Sequence, residues 1–210
     1  MGAVLSLDGL LGARRVWRGA SVATPAPADA LPTGCAGLDA VLPGGGWPPG
    51  ALSEVLLPLD GVGELQLAWP VLARLSRAGR TIVLVAPPYD VHAPAWAAAG
   101  IDLAHLQLVR TEPREALWAA EQCLRSGACG AVLCWPAKAD DRALRRLQVA
   151  AEAGQCLGLA FRASRESRNP SPAALRIAIE SGGDGAPRLR VLKCRGANAP
   201  ARAIDFAATA

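Results

Sequence analysis

Residues 51–86 read ALSEVLLPLDGVGELQLAWPVLARLSRAGRTIVLVA. Ala51 to Leu57 is a short apolar run with the composition of a strand. Glu64 to Ala78 puts Leu65, Leu67, Ala68, Val71, Leu72 and Leu75 on one helical face, and Thr81 to Ala86 is an unbroken apolar run, as expected of a strand buried on both sides. Strand, glycine-bearing turn, helix and strand in that order make a crossover unit, and a crossover joins parallel strands.

Outward from this unit the alternation continues. Ala93 to Ala99 reads as a short helix, Leu106 to Val109 as a strand, and Pro113 to Ser126 as a helix with proline in its first turn. Gly130 to Cys134 is a further buried strand. Asp140 or Asp141 can cap a helix running through Ala153. Strands follow at Cys156 to Phe161, Leu175 to Ile179 and Leu189 to Lys193, the last two joined by the glycine-rich turn from Ser181 to Pro187. The expectation is an α/β fold: a mostly parallel sheet covered by helices on both faces and finished by a C-terminal antiparallel hairpin. Residues 1–30 read as an N-terminal helical segment (Leu5, Leu7, Leu10, Leu11, Val16, Trp17) and a Pro/Ala linker, 31–195 as the core domain, and 196–210 as a tail.

The chain has 210 residues, 51% hydrophobic and 19% charged, which suits one folded domain with appendages and excludes a disordered polymer. No apolar run is long enough to span a bilayer, and the first residues lack the basic start of a signal peptide, so the reading is cytoplasmic and without membrane contact. Six cysteines show no CxxC pair and no histidine at ligand spacing; they read as small buried apolar residues in a reducing compartment. His92 and His105 stand apart from other ligand types, so no metal is expected. Net charge is +4 but uneven. Residues 1–137 hold nine basic and eleven acidic side chains, and 138–210 hold thirteen and seven. A basic last third favours acidic partners or nucleic acid, at a strength well short of a dedicated DNA binder.

In an open parallel sheet, ligand chemistry belongs at the carboxyl ends of strands, so the turn after Leu57 is the place for a phosphate loop. A working loop is GxxxxGK[ST], in which backbone amides wrap the phosphates, a lysine reaches the outer two and a hydroxyl holds magnesium. Here Gly61 and Gly63 are followed by Glu64 and Leu65, so both chemical groups are missing. The only lysines are Lys138 and Lys193. A carboxylate about 4 Å from a phosphate oxygen repels it by about 4 kcal/mol at an effective dielectric of 20. The chain therefore reads as no enzyme and as carrying no cofactor.

Three further segments complete a pattern: Thr33-Gly34-Cys35-Ala36-Gly37-Leu38-Asp39, Pro43 to Gly50 (PGGGWPPG), and Ser53-Glu54-Val55. With Ala86 to Asp102, Arg125-Ser126-Gly127 and Arg190 to Lys193, they resemble, in order, the core of RecA-type recombinases. The leader, the GxGEL turn and LRSGACGAVL are similar to the ImuA family, RecA-like partners of mutagenic translesion polymerases. The resemblance covers about residues 31–195. It implies that the catalytic lysine and hydroxyl positions fall on Glu64 and Leu65, the water-activating glutamate on Pro87 and the Walker B aspartate on Trp135. Arg162 stands where a glutamine senses nucleotide. Lys193 and Arg195 fall where two lysines reach a neighbouring subunit's nucleotide in a filament. The partners implied are an ImuB-like inactive Y-family polymerase, an error-prone C-family DNA polymerase and RecA itself. SulA-type SOS division inhibitors, which bind FtsZ, resemble the same degenerate shape; the long leader into GxGEL favours ImuA. A divergent ATPase is the enzyme alternative.

Trp69, Trp96 and Trp118 fall within helix patterns and are expected in the core. Trp17 and Arg18, with Arg14 and Arg15, have the composition of an interface anchor. Arg142, Arg145 and Arg146 share a helix and read as a solvated face. Arg162, Arg165 and Arg168 follow the next strand and are placed to touch DNA phosphates. The function expected is a non-catalytic RecA-like accessory protein of damage-inducible translesion synthesis that acts by docking on other proteins.

Overall fold

The computed structural model describes residues 31–136, 138–182 and 186–206. Helix α1 (Ala36–Asp39) precedes β1 (Leu52–Leu57), α2 (Glu64–Arg77), β2 (Thr81–Val85), α3 (Ala93–Ala98) and β3 (Leu106–Val109). Then come α4 (Ala116–Arg125), β4 (Cys129–Cys134), α5 (Asp141–Gly154), β5 (Leu157–Ala163), β6 (Leu175–Ser181), β7 (Pro187–Cys194) and β8 (Ile204–Asp205). The strands form one eight-stranded sheet in the order β3-β2-β4-β5-β1-β6-β7-β8. All pairs from β3 to β6 are parallel; β6–β7 and β7–β8 are antiparallel. The expected mostly parallel α/β sheet with a closing hairpin is the architecture found.

Strand period two sorts the core into two layers. Val55 and Leu57 of β1 point to one face, where they meet Leu67, Val71 and Leu72 of α2 and Trp96 of α3. Leu52 points to the other, against Ala120 and Leu124 of α4 and Leu144 and Leu147 of α5. Asp140 caps α5, its Oδ1 accepting from Ala143 N–H at 2.7 Å. Helix α4 begins three residues later than Pro113, because residues 113–115 close as a turn in which Glu115 N–H donates to the Glu112 carbonyl. Its Trp118, expected in the core, is 61% exposed; Ala120 and Leu124 already fill the inward face.

The threonine-to-aspartate segment of the leader is a staple: Thr33 donates both its backbone N–H and its hydroxyl to Asp39 Oδ1, at 2.9 and 2.8 Å. Gly34 has φ +83°, and a Cβ there would lie 2.5 Å from Pro70 of α2. Residues 196–206 are not a tail. Strand β8 pairs with β7, and Phe206 packs into the α2-side core. The segment 1–30, with its expected helix and linker and with Trp17 and Arg18, lies outside the described residues. No helix among the described residues is long and apolar enough to cross a membrane.

Candidate functional site

The corner between β1 and α2 has the outline of a phosphate loop and is occupied by the chain itself. Gly63, the residue before α2, sits at φ +94°, a left-handed conformation open to glycine. From there Glu64 turns its side chain back over the loop, and Gly61 N–H donates to its Oε1 at 3.0 Å. An amide that would face a phosphate oxygen thus faces a carboxylate of the same chain, placed at a helix N-terminus where negative charge is favourable. Glu64 is only 6% exposed, and its Oε2 has no partner among the described residues. Its role differs from the expectation in one respect: besides repelling phosphate, it takes the phosphate's place. Leu65 is half-buried against the core, and a Cβ on Gly63 would lie 3.6 Å from the ring of Phe206, which closes the corner from the C-terminal side.

The neighbouring strand ends are equally changed. At the end of β4, Trp135 stacks on Phe161 of β5 with ring centroids 5.1 Å apart and planes at 21°. An aromatic pair fills the space in which a metal-holding carboxylate would be needed. After β2, Ala86 adopts φ +45° and leads into Pro87, which lines an open groove of about 490 Å³ with Pro88, Tyr89, Leu108 and Pro113. Tyr89 Oη donates to Asp60 Oδ2 at 2.9 Å, and that bond, followed by burial, raises the phenol above its ordinary value. Leu59 and Tyr89 are 65% and 63% exposed. The rim of the filled corner is therefore apolar and open to solvent.

Beneath the rim lies a charged cluster that the sequence reading did not single out. Glu54, at 0% side-chain exposure in the middle of β1, accepts from Arg162 Nη1 at 2.6 Å and from Arg176 Nε at 2.7 Å. Arg162 also donates to the Ala139 carbonyl at 2.7 Å and to Glu166 at 3.0 Å. Arg176 also donates to the carbonyls of Glu166 and Asn169 at 2.9 and 3.0 Å. The signal was legible. A charge inside a strand buried on both faces must be paired, and arginines occupy the two strands that flank it.

Arg162 is thereby removed from the proposed DNA contact: its side chain is 2% exposed and committed to Glu54, Glu166 and Ala139. Arg165 and Arg168 remain exposed on the 3₁₀ segment Ser164–Arg168. Lys193 donates to the Ser171 carbonyl at 2.7 Å, and burial, then the charges of Arg195 and Arg176, lower its pKa. Arg195 pairs with Glu152 of α5 at 2.8 Å. The two side chains share one end of β7, each with a partner inside the chain. His105 is also paired, its Nδ1 lying 3.0 Å from Asp102 Oδ2, whereas the sequence reading left it without a carboxylate. Among the described residues no group of three histidine, cysteine or acidic side chains could hold a metal ion.

These features define a class: a parallel α/β protein that keeps the phosphate-loop corner in outline and fills it with its own side chains. The family model for cell division inhibitor SulA matches residues 50–158, and the chain belongs to the SulA family. The crystal structure of SulA from Pseudomonas aeruginosa is similar at 27% identity and a TM-score of 0.45, covering 53% of this chain and 97% of that one. No curated protein matches. The family match supports the wider SulA and RecA-like relationship and does not reach the finer ImuA assignment.

Proposed function

We propose that this chain is a non-catalytic docking protein of the DNA-damage response and that, as its family suggests, its target is the division protein FtsZ. One observation carries the non-catalytic part: the Glu64 carboxylate accepts the loop amide that a nucleotide would need. The docking part is supported by Leu59 and Tyr89, large side chains exposed on the rim of that same corner. Purified protein added to FtsZ and GTP lowers polymer mass in sedimentation, and a Leu59→Ala/Tyr89→Ala variant loses the effect while remaining folded. Unaltered FtsZ assembly with the wild-type chain removes this target. Saturable micromolar binding of ATP with magnesium in calorimetry removes the non-catalytic reading.

A second reading has its own support. The leader 31–49 and strands β6 to β8 lie outside the SulA match yet belong to the sheet and its core. They are the segments in which the resemblance to ImuA is densest or is continued. On this reading the docking face serves an ImuB-like polymerase relative, an error-prone C-family polymerase or RecA, with Trp17, Arg18, Lys193 and Arg195 as anchors. Pull-down with purified ImuB-like protein, set beside the FtsZ assay, separates the two.

A further inference from the structure

Helix α4 places Leu117, Ala120 and Leu124 inward and leaves Trp118, Gln122 and Arg125 outward at helical spacing. The inward positions are filled, so the tryptophan adds nothing to the core. An isolated exposed leucine is ordinary, but a fully presented indole ringed by arginines has the composition of a binding hot spot. Its ring of charge is built jointly by α4 and α5. Glu121, almost wholly buried, accepts from Arg125 at 2.7 Å on one oxygen and pairs with Arg146 of α5 on the other. Both guanidinium groups are held at the surface with more than half of each side chain exposed. Arg142, one turn before Arg146, and Arg114, one turn before Trp118, are exposed as well. On α5, Val149 adds a second exposed apolar side chain.

We propose that the outer face of the α4–α5 helix pair, centred on Trp118, is a docking surface for an acidic protein segment that carries an apolar side chain. The apolar centre with a charged rim matches the anatomy of a protein interface. The net sign of the rim selects the partner, because the acid among the rim arginines is sunk between them while the cations project. That same sign disfavours a second copy of this chain, which would bring arginine against arginine. Nucleic acid is disfavoured by the pairing: Arg125, Arg145 and Arg146 already hold carboxylates at Glu121 and Asp141, which a phosphate would have to displace. The surface deepens the docking reading and rests on it, but it uses a different side of the molecule from the Leu59–Tyr89 rim.

The experiment uses the full chain labelled with ¹⁵N, in which the Trp118 indole resonance is assigned by its loss in Trp118→Phe. The probes are a synthetic peptide of alternating glutamate and leucine, and oligo-dT. The peptide is expected to shift the Trp118 resonance saturably, with Trp118→Ala weakening its binding by about tenfold or more at unchanged melting temperature. Oligo-dT leaves the resonance in place. No shift with the peptide, a shift with oligo-dT alone, or concentration-dependent dimerisation abolished by Trp118→Ala would each overturn the proposal. The docking reading itself is judged apart, by the FtsZ and nucleotide assays, neither of which reads Trp118.

Discussion

Glu54 is the side chain whose loss tests the physical account of this fold most directly. Removing it by Glu54→Ala takes away one carboxylate and strands two guanidinium groups that have almost no contact with water. Breaking a buried pair by deleting one partner costs about 3–5 kcal/mol, because the surviving charge keeps its desolvation penalty without its compensation. Two arginines are stranded here, which argues for the upper end. Against that, Arg162 keeps Glu166 at 3.0 Å and the Ala139 carbonyl at 2.7 Å, and Arg176 keeps two carbonyls at about 3 Å. The expected loss is therefore about 3 kcal/mol. For a domain of this size that corresponds to a melting temperature about 6–12 °C lower. Urea unfolding at neutral pH, followed by circular dichroism, measures it. Replacing all three residues together, as Glu54→Leu/Arg162→Leu/Arg176→Met, should recover most of the loss, since a well-packed apolar substitute for a buried ionic group is often neutral or better. A loss below about 1 kcal/mol in Glu54→Ala, or a triple variant no better than the single, would refute the reasoning.

Two further expectations follow from the same coordinates. Burial pushes the Cys134 and Cys156 thiols up to about 12, above their ordinary value of 9.0. In the unfolded chain they ionise near 9 while the folded chain keeps its protons, so stability falls as pH rises from about 9 to 12, by about 1.4 kcal/mol per pH unit for each thiol. Denaturant midpoints between pH 7 and 11 read this; a flat profile contradicts it. With Arg162 withdrawn, any single-stranded DNA bound by the segment Ser164–Arg168 rests on Arg165 and Arg168, and the logarithmic salt slope should be no steeper than about −1.4. A steeper slope in a fluorescence titration assigns the contact to other cations, and no binding at low salt removes it.

Much of the fold was legible because the strands are short, apolar and separated by amphipathic helices. Val132 and Leu133, for example, can only belong to a strand covered on both faces. The filled corner was half legible. The absence of lysine and hydroxyl at Glu64 and Leu65 is a statement about residue types and needs no coordinates. That the glutamate turns back onto Gly61 depends on a backbone angle at Gly63, which the sequence permits and does not dictate. Trp118 was misread for a different reason. Helical periodicity assigns a side chain to a face only when the helix start is known, and α4 begins at Ala116 instead of Pro113. Phe206 was missed because β8 is two residues long, too short to leave a period-two signature, and its place is decided by pairing with β7.

The internal occupants of the loop have a consequence for how such a protein is controlled. A ligand shifts a conformational equilibrium only through a difference in its affinity for two states. In a corner where Glu64 takes the amide of Gly61, Trp135 and Phe161 close the metal position and Phe206 packs behind Gly63, no vacant state remains for a nucleotide to prefer. The rim that carries Leu59 and Tyr89 is therefore held in one geometry whatever the nucleotide concentration, with Tyr89 tied to Asp60. Docking on such a surface loses less conformational entropy than docking on a mobile loop, which favours affinity at the expense of switching. Control then falls on how much of the protein is present and not on what it has bound, and that suits a response set by the extent of DNA damage.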